Sequence, residues 1–461
     1  MKELPEDFLA QIKKDIPHEE EAFKTALQRT APTSVRYNSE KVTSPDTSLE
    51  AVVWNASGRY LPQRPIFTLD PAFHAGAYYV QEASSMFVGT ALRQHTEPNQ
   101  ALTVLDLCAA PGGKSTLLLD TLNSDSLLVS NEVISSRYRI LQENLRKWGS
   151  PNVAITNHDP KDFQDLEEFF DVILIDAPCS GEGLFRRDEK AIAEWSLNHV
   201  ALCGARQQRI FRDALPLLKS DGLLIYCTCT YNSTENMDNV AWLTNQYSLQ
   251  SLSVDVAERW SIAEKQEQNC FGYQFYPHRV KGEGFFLSIF KKLAVNTPSI
   301  FVGKKFKKQR TNFRSLKRIS REKLLALGNW VNNIFQFDFY ETTSETVLAL
   351  PKHLVPAFLQ LDKALKRKQF GIPIGKFKRN NFIPSYHLAL STIIHPNLPT
   401  IEVNRKEALL FLKKEKMNIQ PTQRGWLLVQ YKGLNLGWIK VIPGRINNYL
   451  PKELRIRMDI E

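Results

Sequence analysis

Short apolar runs alternate with stretches of helical character through the middle of the chain. The stretches between the runs include residues 135–147 and 204–219. Strands that alternate with helices are typical of a parallel sheet with crossover helices. The pattern therefore predicts a parallel α/β sheet. The five runs are LTVLDLC (102–108), SLLVSNEV (126–133), NVAITNHD (152–159), FDVILIDAP (170–178) and GLLIYCTCT (222–230).

Two later stretches have the pattern of paired strands. Residues 271–290, FGYQFYPHRVKGEGFFLSIF, contain two apolar halves joined by a glycine-containing turn. The parallel sheet is therefore expected to end in an antiparallel hairpin. Residues 425–455 predict a strand, a glycine-containing turn and a second strand, followed by a Gly-Arg-Ile-Asn-Asn loop. A small β module is thus expected near the end of the chain.

Length and composition limit the class of protein. A chain of 461 residues suggests about three domains. Its 43% hydrophobic and 23% charged residues are ordinary for a globular protein. No apolar run approaches the roughly 18–20 residues of a membrane span, and the charged N-terminal stretch does not resemble a signal peptide. Because the six cysteines are too unevenly spread for a disulfide framework, we predict a cytoplasmic protein.

Charge is divided unequally along the chain. Residues 300–461 contain 30 Lys and Arg against 11 Asp and Glu, a net charge of +19, whereas residues 1–299 carry a net charge of −9. The densest basic run, KKFKKQRTNFRSLKRISREK (304–323), has phenylalanines interleaved with the cations. Positive charge combined with aromatic side chains is typical of nucleic-acid binding. We favour that interpretation over a solvated linker.

Acidic residues follow three of the predicted strands. Glu132 ends the second strand, Asp159 the third and Asp176 the fourth. Ligands of parallel α/β sheets bind at the carboxyl ends of the strands, so we expect these carboxylates to share one site. The first strand leads into CAAPGGKST, a loop of small residues that is neither G-x-G-x-x-G nor a P-loop. Ribose and adenine recognition without a phosphate cradle predicts S-adenosylmethionine rather than a dinucleotide.

Cys227 and Cys229 lie one residue apart at the end of the fifth apolar run. Side chains two positions apart share one face of a strand, so both thiols should point the same way. A disulfide between them is geometrically poor, and zinc sites prefer Cys-x-x-Cys pairs with further ligands. Free cysteines are also commonly buried as small apolar side chains. From this stretch alone, packing and chemistry are equally good interpretations.

Three motifs occur in a specific order and spacing. They are LDLCAAPGGKS (105–115), DAPCSGEG (176–183) and YCTCT (226–230). Together they resemble the RNA cytosine-5 methyltransferases of the NOL1/NOP2/Sun family. GAYYVQEASSM (76–86) is similar to that family's lead-in to the catalytic domain, and PH…GFF (277–286) is similar to its closing hairpin.

The C-terminal part narrows this resemblance. GIPIGKFKRNNFIPSYHLAL (371–390) and GWLLVQYKGLNLGWIKVIPGRINNYLPKELR (425–455) resemble the bacterial RsmF (YebU) type of the family. That type carries an RNA-binding PUA-like module and methylates a cytosine of small-subunit (16S) ribosomal RNA. The resemblance therefore implies small-subunit ribosomal RNA, or the ribosomal subunit, as the partner and S-adenosyl-L-methionine as the cofactor.

The resemblance also assigns roles to individual residues. It implies that Cys229 is the nucleophile that adds to C6 of the cytosine, and that Cys179 resolves the covalent adduct. Asp176 is expected between cofactor and target base, Glu132 at the ribose and Asp159 at the adenine amino group. The methionine part of the cofactor is expected against the small-residue loop, which comprises Cys108, Ala109, Ala110, Pro111, Gly112, Gly113 and Lys114.

The remaining unusual side chains have simpler interpretations. The family pattern usually has serine in place of Cys227, which we interpret as a packed strand residue. Cys203 and Cys270 lie outside the motifs and are expected to be inert, and His278 is expected to be packed or to lie in a surface loop. Residues 206–212, RQQRIFR, fit a solvated helix face as well as an RNA contact. No His and Cys cluster has metal-ligand spacing, so no metal is predicted.

The resemblance implies a domain order. We expect an N-terminal α/β extension that faces RNA over residues 1–95 and a catalytic domain over 96–292. The catalytic domain should contain a Rossmann-like S-adenosylmethionine-dependent methyltransferase sheet with the antiparallel final hairpin. A basic linker and intermediate domain (293–385) and a PUA-like RNA-binding domain (386–461) should form an α+β C-terminal region. We expect a monomer.

Two other functions remain open at this point. The first is a tRNA cytosine-5 methyltransferase of the same family. The second is a non-catalytic ribosome-assembly factor that binds RNA through its basic C-terminal part, although intact Cys229, Cys179 and Asp176 favour catalysis. A DNA cytosine-5 methyltransferase fits less well, because those enzymes place the attacking cysteine in the Pro-Cys motif and lack a second cysteine after the next strand.

Overall fold

The N-terminal region is attached to the rest of the molecule by aromatic packing. The computed structural model describes residues 3–294, 312–379 and 381–460. Phe8 lies 5.0 Å from the ring of Phe185 and 5.8 Å from that of Trp195, which fixes the first two helices against the middle of the chain. The elements are α1 (Glu6–Asp15), α2 (Glu20–Gln28), β1 (Thr33–Tyr37), β2 (Gly58–Leu61), α3 (Pro71–His74), β3 (Tyr78–Val80) and α4 (Phe87–Gln94), with β1 between β2 and β3 in an antiparallel sheet.

A large mixed sheet occupies the middle of the chain. Its central strands run parallel in the order β8-β7-β4-β5-β6, and β12, β11 and β10 continue it antiparallel beyond β8. The elements are β4 (Thr103–Asp106), α5 (Gly113–Thr121), β5 (Leu127–Asn131), α6 (Ser135–Trp148), β6 (Val153–Thr156), β7 (Phe170–Asp176), α7 (Glu189–Glu194), α8 (Leu197–Ala214), β8 (Leu218–Thr228), α9 (Met237–Gln246), β9 (Leu249–Leu252), β10 (Ala263–Glu267), β11 (Cys270–Phe275) and β12 (Phe285–Lys292).

Both faces of this sheet are buried, which explains why its strands are apolar throughout. Successive residues of one strand pack in different apolar cores, because their side chains point to opposite faces of the sheet. Val104 packs with residues of α4 and α5, such as Phe87 and Leu118, whereas Leu105 packs on the other face with residues of α8, such as Phe211. The sheet is therefore the middle layer of three, and its strand ends are held rigidly from both sides.

The predicted α/β fold is confirmed. Each of the five apolar runs forms a strand (β4 to β8), and residues 271–290 form the antiparallel pair β11 and β12. The predicted helix over 204–219 is shifted. It begins at Leu197, because the side chain of Ser196 caps the N–H of His199, and it ends at Ala214. Pro216 lies two residues after Ala214 and cannot continue an α-helix.

The C-terminal region contains two further sheets. One is antiparallel in the order β13-β14-β15-β17-β18, and the other has the order β19-β20-β21-β22. The elements are β13 (Leu316–Arg318), α10 (Arg321–Leu327), β14 (Phe337–Thr342), β15 (Thr346–Pro351), α11 (Val355–Ala364), β16 (Lys368–Phe370), β17 (Ile372–Lys378), β18 (Asn381–Pro384), α12 (Tyr386–Leu390), β19 (Thr400–Glu402), α13 (Arg405–Lys413), β20 (Gly425–Tyr431), β21 (Leu434–Ile442) and β22 (Arg445–Asn448).

Two features of this region differ from the sequence prediction or go beyond it. Strand β16 leaves its neighbours and pairs antiparallel with β6 at the edge of the central sheet, where Phe370 joins the large apolar core. The predicted Gly-Arg-Ile-Asn-Asn loop is wrong in part, since residues 445–448 form β22. Gly444 adopts φ +77°, which reverses the chain so that Ile446 pairs with Val441 of β21.

The first part of the basic run predicted to bind nucleic acid, residues 304–311, lies outside the described residues. The rest of the run, 312–323, is described and includes β13 and the first turn of α10. No helix within the described ranges has the length and apolar character needed to cross a bilayer.

Candidate active site

Two cysteine thiols meet at one edge of the central sheet. β7 and β8 are parallel neighbours with Asp176 paired to Cys227, so the loops that follow both strands emerge together. Cys179 lies in the first loop and Cys229 in the second. Their Sγ atoms are 3.2 Å apart, and the backbone N–H of Cys229 donates to the Cys179 Sγ over 3.3 Å. Both side chains are partly exposed, so a ligand can reach the pair.

Cys227 and Cys229 have different surroundings. β8 ends at Thr228, so Cys229 lies beyond the strand, where its thiol meets Cys179. Cys227 is fully buried among apolar residues such as Val104 and Leu174, as predicted for a packed strand residue. Burial raises the pKa of its thiol far above the ordinary value. The expectation of a shared strand face fails because the strand ends between the two residues.

The two meeting thiols are electrostatically linked. The hydrogen bond to Cys229 and burial raise the pKa of the Cys179 thiol well above its ordinary value. The Cys179 thiol is therefore protonated near neutral pH, and its S–H is available as a donor to the Cys229 sulfur.

An ion pair lies beside the thiols. Lys114 Nζ and Asp176 Oδ2 are 2.8 Å apart, with side chains 15% and 30% exposed. Burial disfavours the charged lysine, but the carboxylate of Asp176 outweighs it, so the pKa of Lys114 is raised. The ammonium group also lies 5.2 Å from the ring centre of Phe285, on β12. The pair holds the Asp176 carboxylate at the strand end.

The small-residue loop is fixed by the chain around it. Gly112 adopts φ +112°, a conformation that side chains other than glycine rarely take. The carbonyl of Ala110 accepts a hydrogen bond from Arg137 (2.7 Å), and the carbonyl of Pro111 accepts one from Asn144 (2.8 Å). A Cβ at Gly113 would lie 3.2 Å from the Tyr79 ring of the N-terminal region. The loop backbone is therefore held in one conformation by its neighbours, and the absence of a side chain at Gly113 lets it pack directly against Tyr79.

Three carboxylates gather near this loop. Glu132 is buried directly after β5, accepts a hydrogen bond from the N–H of Ile134 (2.8 Å) and lies 3.5 Å from Arg137. Asp106, at the end of β4, is fully buried, and burial followed by the charges of Asp176 and Glu132 raises its pKa to about 7. The sequence analysis missed Asp106, although it ends an apolar strand just as Asp176 does.

Asp159 has other contacts. Its carboxylate caps a short 3-10 helix by accepting from the N–H of Lys161 (3.3 Å), and it lies 3.5 Å from Arg209 on α8. The stretch 206–212 thus contributes one arginine to this end of the sheet. Contact of Asp159 with adenine stays a prediction.

The other singled-out side chains are packed. His278 is nearly buried, its Nε2 lies 2.6 Å from Glu19, and its ring packs edge-on to Phe23. Cys203 is buried in α8, and Cys270 is buried with its sulfur 3.3 Å from the hydroxyl of Thr244. Within the described residues, no group of three or more His, Cys, Asp or Glu side chains could hold a metal ion.

Known proteins resemble this chain along its whole length. Residues 93–291 match the family model described as 16S rRNA methyltransferase RsmB/F. The N-terminal domain of 16S rRNA methyltransferase RsmF matches residues 4–83, and the methyltransferase RsmF PUA domain matches residues 398–456. The ribosomal RNA small subunit methyltransferase F of Shewanella frigidimarina is 30% identical over 491 residues, 98% of each chain. The chain belongs to the RsmF family.

Other comparisons agree with this assignment. The ribosomal RNA small subunit methyltransferase F of Aliivibrio fischeri is 29% identical and covers 98% of this chain and 97% of its own. A solved methyltransferase homolog protein from Pyrococcus horikoshii is 26% identical, has a TM-score of 0.53 and covers 62% of this chain and 94% of its own. NSun6 from Pyrococcus horikoshii, solved with SFG, shares the fold at 19% identity and a TM-score of 0.53, covering 64% of this chain and 100% of its own. The RsmF resemblance and the PUA-like module predicted from the sequence are confirmed.

Proposed function

We propose that the protein transfers a methyl group from S-adenosylmethionine to C5 of a cytosine in 16S ribosomal RNA, through a covalent bond between Cys229 and C6 of the base. The observation that carries this proposal is the thiol pair, with the Cys179 and Cys229 Sγ atoms 3.2 Å apart beside Asp176. Methylation of a nitrogen or oxygen atom would need no thiol. Relatives that are named for ribosomal RNA small subunit methylation support the RNA class.

The nucleophilic thiol addresses a specific chemical difficulty. C5 of cytosine is a poor nucleophile while the ring is aromatic. When the Cys229 thiolate adds to C6, an Sγ–C6 bond forms, and the electron pair of the C5–C6 double bond becomes available at C5 and is shared with the ring N3 and O2. This divides one difficult step into easier ones. The Asp176 carboxylate, fixed by Lys114, can accept a hydrogen bond from the amino edge of the same base.

The residues around the small-residue loop fit the cofactor. Asp106 Oδ1 is buried without a hydrogen-bond partner in the protein, and Glu132 is a second buried carboxylate at the same strand ends. These acids suit a ligand that carries an ammonium group, a sulfonium centre and a ribose diol. When bound, S-adenosylmethionine supplies an electrophilic methyl group. Residues 108–114 would hold its methionine part and Glu132 its ribose, with Asp159 proposed at the adenine.

Cys179 is suited to the release step. Once C5 carries the methyl group, its proton must leave so that the electron pair restores the C5–C6 double bond and expels the Cys229 thiolate. Cys229 is a neutral thioether in the adduct, so the interaction that raises the Cys179 pKa is then reduced. At that stage Cys179 can release its own proton to the solvent that reaches the thiol pair, and its thiolate can then accept the proton from C5. The freed Cys229 thiolate returns the pair to its starting state.

Methylation of defined RNAs tests the proposal. Purified protein is incubated with labelled S-adenosylmethionine and small ribosomal subunits, free 16S RNA or tRNA, and nucleosides are then identified by mass spectrometry. We expect 5-methylcytidine in small-subunit RNA, no product with Cys229→Ala, and full activity with the buried-thiol control Cys203→Ala. Product in tRNA alone would favour the tRNA enzyme, and absence of product from every RNA would favour the assembly factor.

A further inference from the structure

Each cysteine loop carries a buried glutamate that the proposed reaction does not use. Glu182 follows Cys179 by three residues, and Glu235 follows Cys229 by six. Both carboxylates lie in the interior, with their residues fully buried. Burying a carboxylate is costly unless hydrogen bonds satisfy it. The partners of these two groups therefore indicate why the fold retains them.

Glu182 reaches from the Cys179 loop to the Cys229 loop. Its Oε2 accepts hydrogen bonds from the backbone N–H groups of Tyr231 (2.7 Å) and Asn232 (3.1 Å). Its Oε1 accepts from Trp195 Nε1 (2.9 Å) and from the side chain of Asn232 (2.7 Å). The carboxylate thus fixes the backbone two and three residues beyond Cys229.

Glu235 makes the reciprocal contact. Its Oε2 accepts from the backbone N–H of Ser180, the residue directly after Cys179, over 3.0 Å. The same oxygen accepts from Gln207 Nε2 (2.9 Å), and Oε1 accepts from the side chain of Asn232 (2.9 Å). One amide group, that of Asn232, therefore joins the two carboxylates. We call Glu182, Asn232 and Glu235 the carboxylate clamp.

The clamp is made of charge-assisted bonds to neutral donors. Such bonds are shorter and roughly twice as strong as bonds between neutral groups. The groups that hydrogen-bond to the Glu182 carboxylate are all N–H donors. A glutamine at position 182 would therefore have to point its own NH₂ group, also a donor, at some of them. Burial raises the pKa of Glu235, which adds to the cost of keeping it charged. A packing role alone would be served at lower cost by apolar side chains.

We propose that Glu182 and Glu235 are positioning residues that set the separation of the Cys179 and Cys229 thiols. Each carboxylate holds the backbone beside the cysteine of the other loop, so the two loops cannot move apart without breaking the clamp. A backbone bond from the Gly183 N–H to the Cys229 carbonyl (2.9 Å) also joins the two loops. The consequence for catalysis rests on the proposed function, because the release step requires Cys179 close to the Cys229 adduct.

The separation of the thiols can be measured without any RNA. A bifunctional thiol reagent that fluoresces only after it bridges two neighbouring thiols is applied to the full-length protein, and the signal of Cys179→Ser is subtracted as background. We expect Glu182→Gln and Glu235→Gln to lower the bridging rate at least severalfold. The control is Glu407→Gln, since Glu407 is a buried glutamate of α13 whose carboxylate accepts from the N–H of Asn418. The control should bridge at the wild-type rate.

Single-turnover methylation then tests the catalytic consequence. A reacting group displaced by about 1 Å can cost roughly a hundredfold in rate, so we expect slower release and a Cys229–RNA adduct that persists longer than in the wild type. Affinity for S-adenosylmethionine, measured by calorimetry, should stay unchanged and would show that the variants are folded. If the glutamine variants do not fold, Asn232→Ala, which keeps both carboxylates, replaces them with the same expectations.

The outcomes separate the two proposals. Wild-type bridging rates in folded clamp variants would overturn the positioning role, whatever the methylation assay gives. Slower bridging together with no methylation by the wild-type protein would leave the clamp standing and reject the proposed function. Slower bridging with an equal loss of cofactor binding would reject specific positioning, because it would indicate a general disturbance of the sheet edge.

Discussion

The acidic residues of the methyltransferase sheet lie at or behind the candidate site, whereas those of the C-terminal region stabilise the local fold. Around the thiol pair, Asp106, Glu182 and Glu235 are fully buried within the site or directly behind it. In the C-terminal region the acids serve the local fold. Asp362 accepts from the N–H of Arg314 and pairs with Lys368, and Glu402 accepts from the N–H of Lys432. Residues 300–461 contain 30 Lys and Arg but only 11 Asp and Glu, so the cations of that region outnumber the acids that could neutralise them.

Because of this difference, we expect the methyltransferase sheet to determine catalysis and cofactor binding and the C-terminal region to determine RNA affinity. Buried carboxylates can hold reacting groups and a cationic ligand in fixed places, but they contribute little to attraction at a distance. Exposed cations attract an RNA backbone over roughly a Debye length, yet they hold nothing rigidly. Substitutions in the first region should change turnover and cofactor binding. Substitutions in the second should change RNA affinity and its dependence on salt.

The largest effect is expected at the strand-end acid beside the thiols. Asp176→Asn removes the negative charge that is paired with Lys114, and loss of one positioned polar group at a reacting centre typically costs roughly 10²–10³-fold in rate. The matched control is Asp171→Asn at the opposite end of the same strand, where Asp171 pairs with Lys219 (2.7 Å). Single-turnover methylation should fall about a hundredfold or more in the first variant and remain near wild type in the second. Equal losses would show that strand stability, rather than chemistry, is affected.

Cofactor binding should respond most strongly at Glu132. Glu132→Gln removes a charged acceptor for the ribose hydroxyls, so S-adenosylmethionine affinity should fall by roughly 1.5–3 kcal/mol. Asp159→Ala should weaken binding less, since the Asp159 side chain is 25% exposed whereas that of Glu132 is 3% exposed. Calorimetry measures both. Unchanged affinity in Glu132→Gln would remove Glu132 from the site, and RNA affinity should not change in either variant.

Asp106 should give the stability of the fold a pH dependence. Its pKa is raised from 3.8 to about 7, so the folded protein binds an additional proton between these values. Stability should therefore decrease as pH rises from about 4 to 7, with a contribution of up to about 1.4 kcal/mol per pH unit, and level off above. Asp106→Asn should remove that part of the slope. Denaturant unfolding of both proteins at several pH values measures it, and parallel curves would contradict the assignment.

The smallest effects are expected for single surface cations of the C-terminal module. Arg424 and Arg445 are exposed near the ends of the β20–β21–β22 sheet. Removing one ionic interaction with an RNA phosphate should lower the slope of log affinity against log salt by about 0.7–0.9. Arg424→Gln combined with Arg445→Gln should flatten the salt titration without changing cofactor affinity. Lys219→Gln, which removes a cation already paired with Asp171 (2.7 Å) at the end of the central sheet opposite the site, is the control and should change little.

Deletion of the C-terminal region would test the same point less cleanly. Residues 293–461 include β16, which pairs with β6, and Phe358 and Phe370, which belong to the core of the central sheet. Their removal would expose that core and destabilise the central sheet, so a loss of RNA binding could not be assigned to the lost cations alone. Substitution of Lys304, Lys305, Lys307 and Lys308, which lie outside the described residues, remains a test of the basic run.

The sequence predicted the parallel strands because strands buried on both faces are apolar along their whole length. It also placed Cys179 and Cys229 on consecutive strand ends, although their 3.2 Å contact depends on strand order. The clamp was not predictable. Glutamates are usually exposed, and only the folded loops bring Glu182 and Glu235 into the interior. Strand β16 was missed because a three-residue strand with two polar residues has no distinct pattern.

The predicted domain boundaries stay a prediction, and the structure indicates where they matter. β16 lies within the predicted intermediate domain but completes the edge of the catalytic sheet. Arg146 of α6 fixes it there by donating to Gln369 (3.0 Å) and to the carbonyl of Gly371. Such contacts join residues more than two hundred positions apart, so local patterns cannot reveal them.

The covalent adduct tests the central claim most directly. Cys179→Ala is incubated with S-adenosylmethionine and 16S RNA, separated on a denaturing gel, digested and examined by peptide mass spectrometry. We predict a slow-migrating protein–RNA species in which the nucleotide is attached to Cys229, and none in Cys179→Ala combined with Cys229→Ala. An adduct attached to Cys179 in Cys229→Ala, with none in Cys179→Ala, would reverse the two roles and contradict the account.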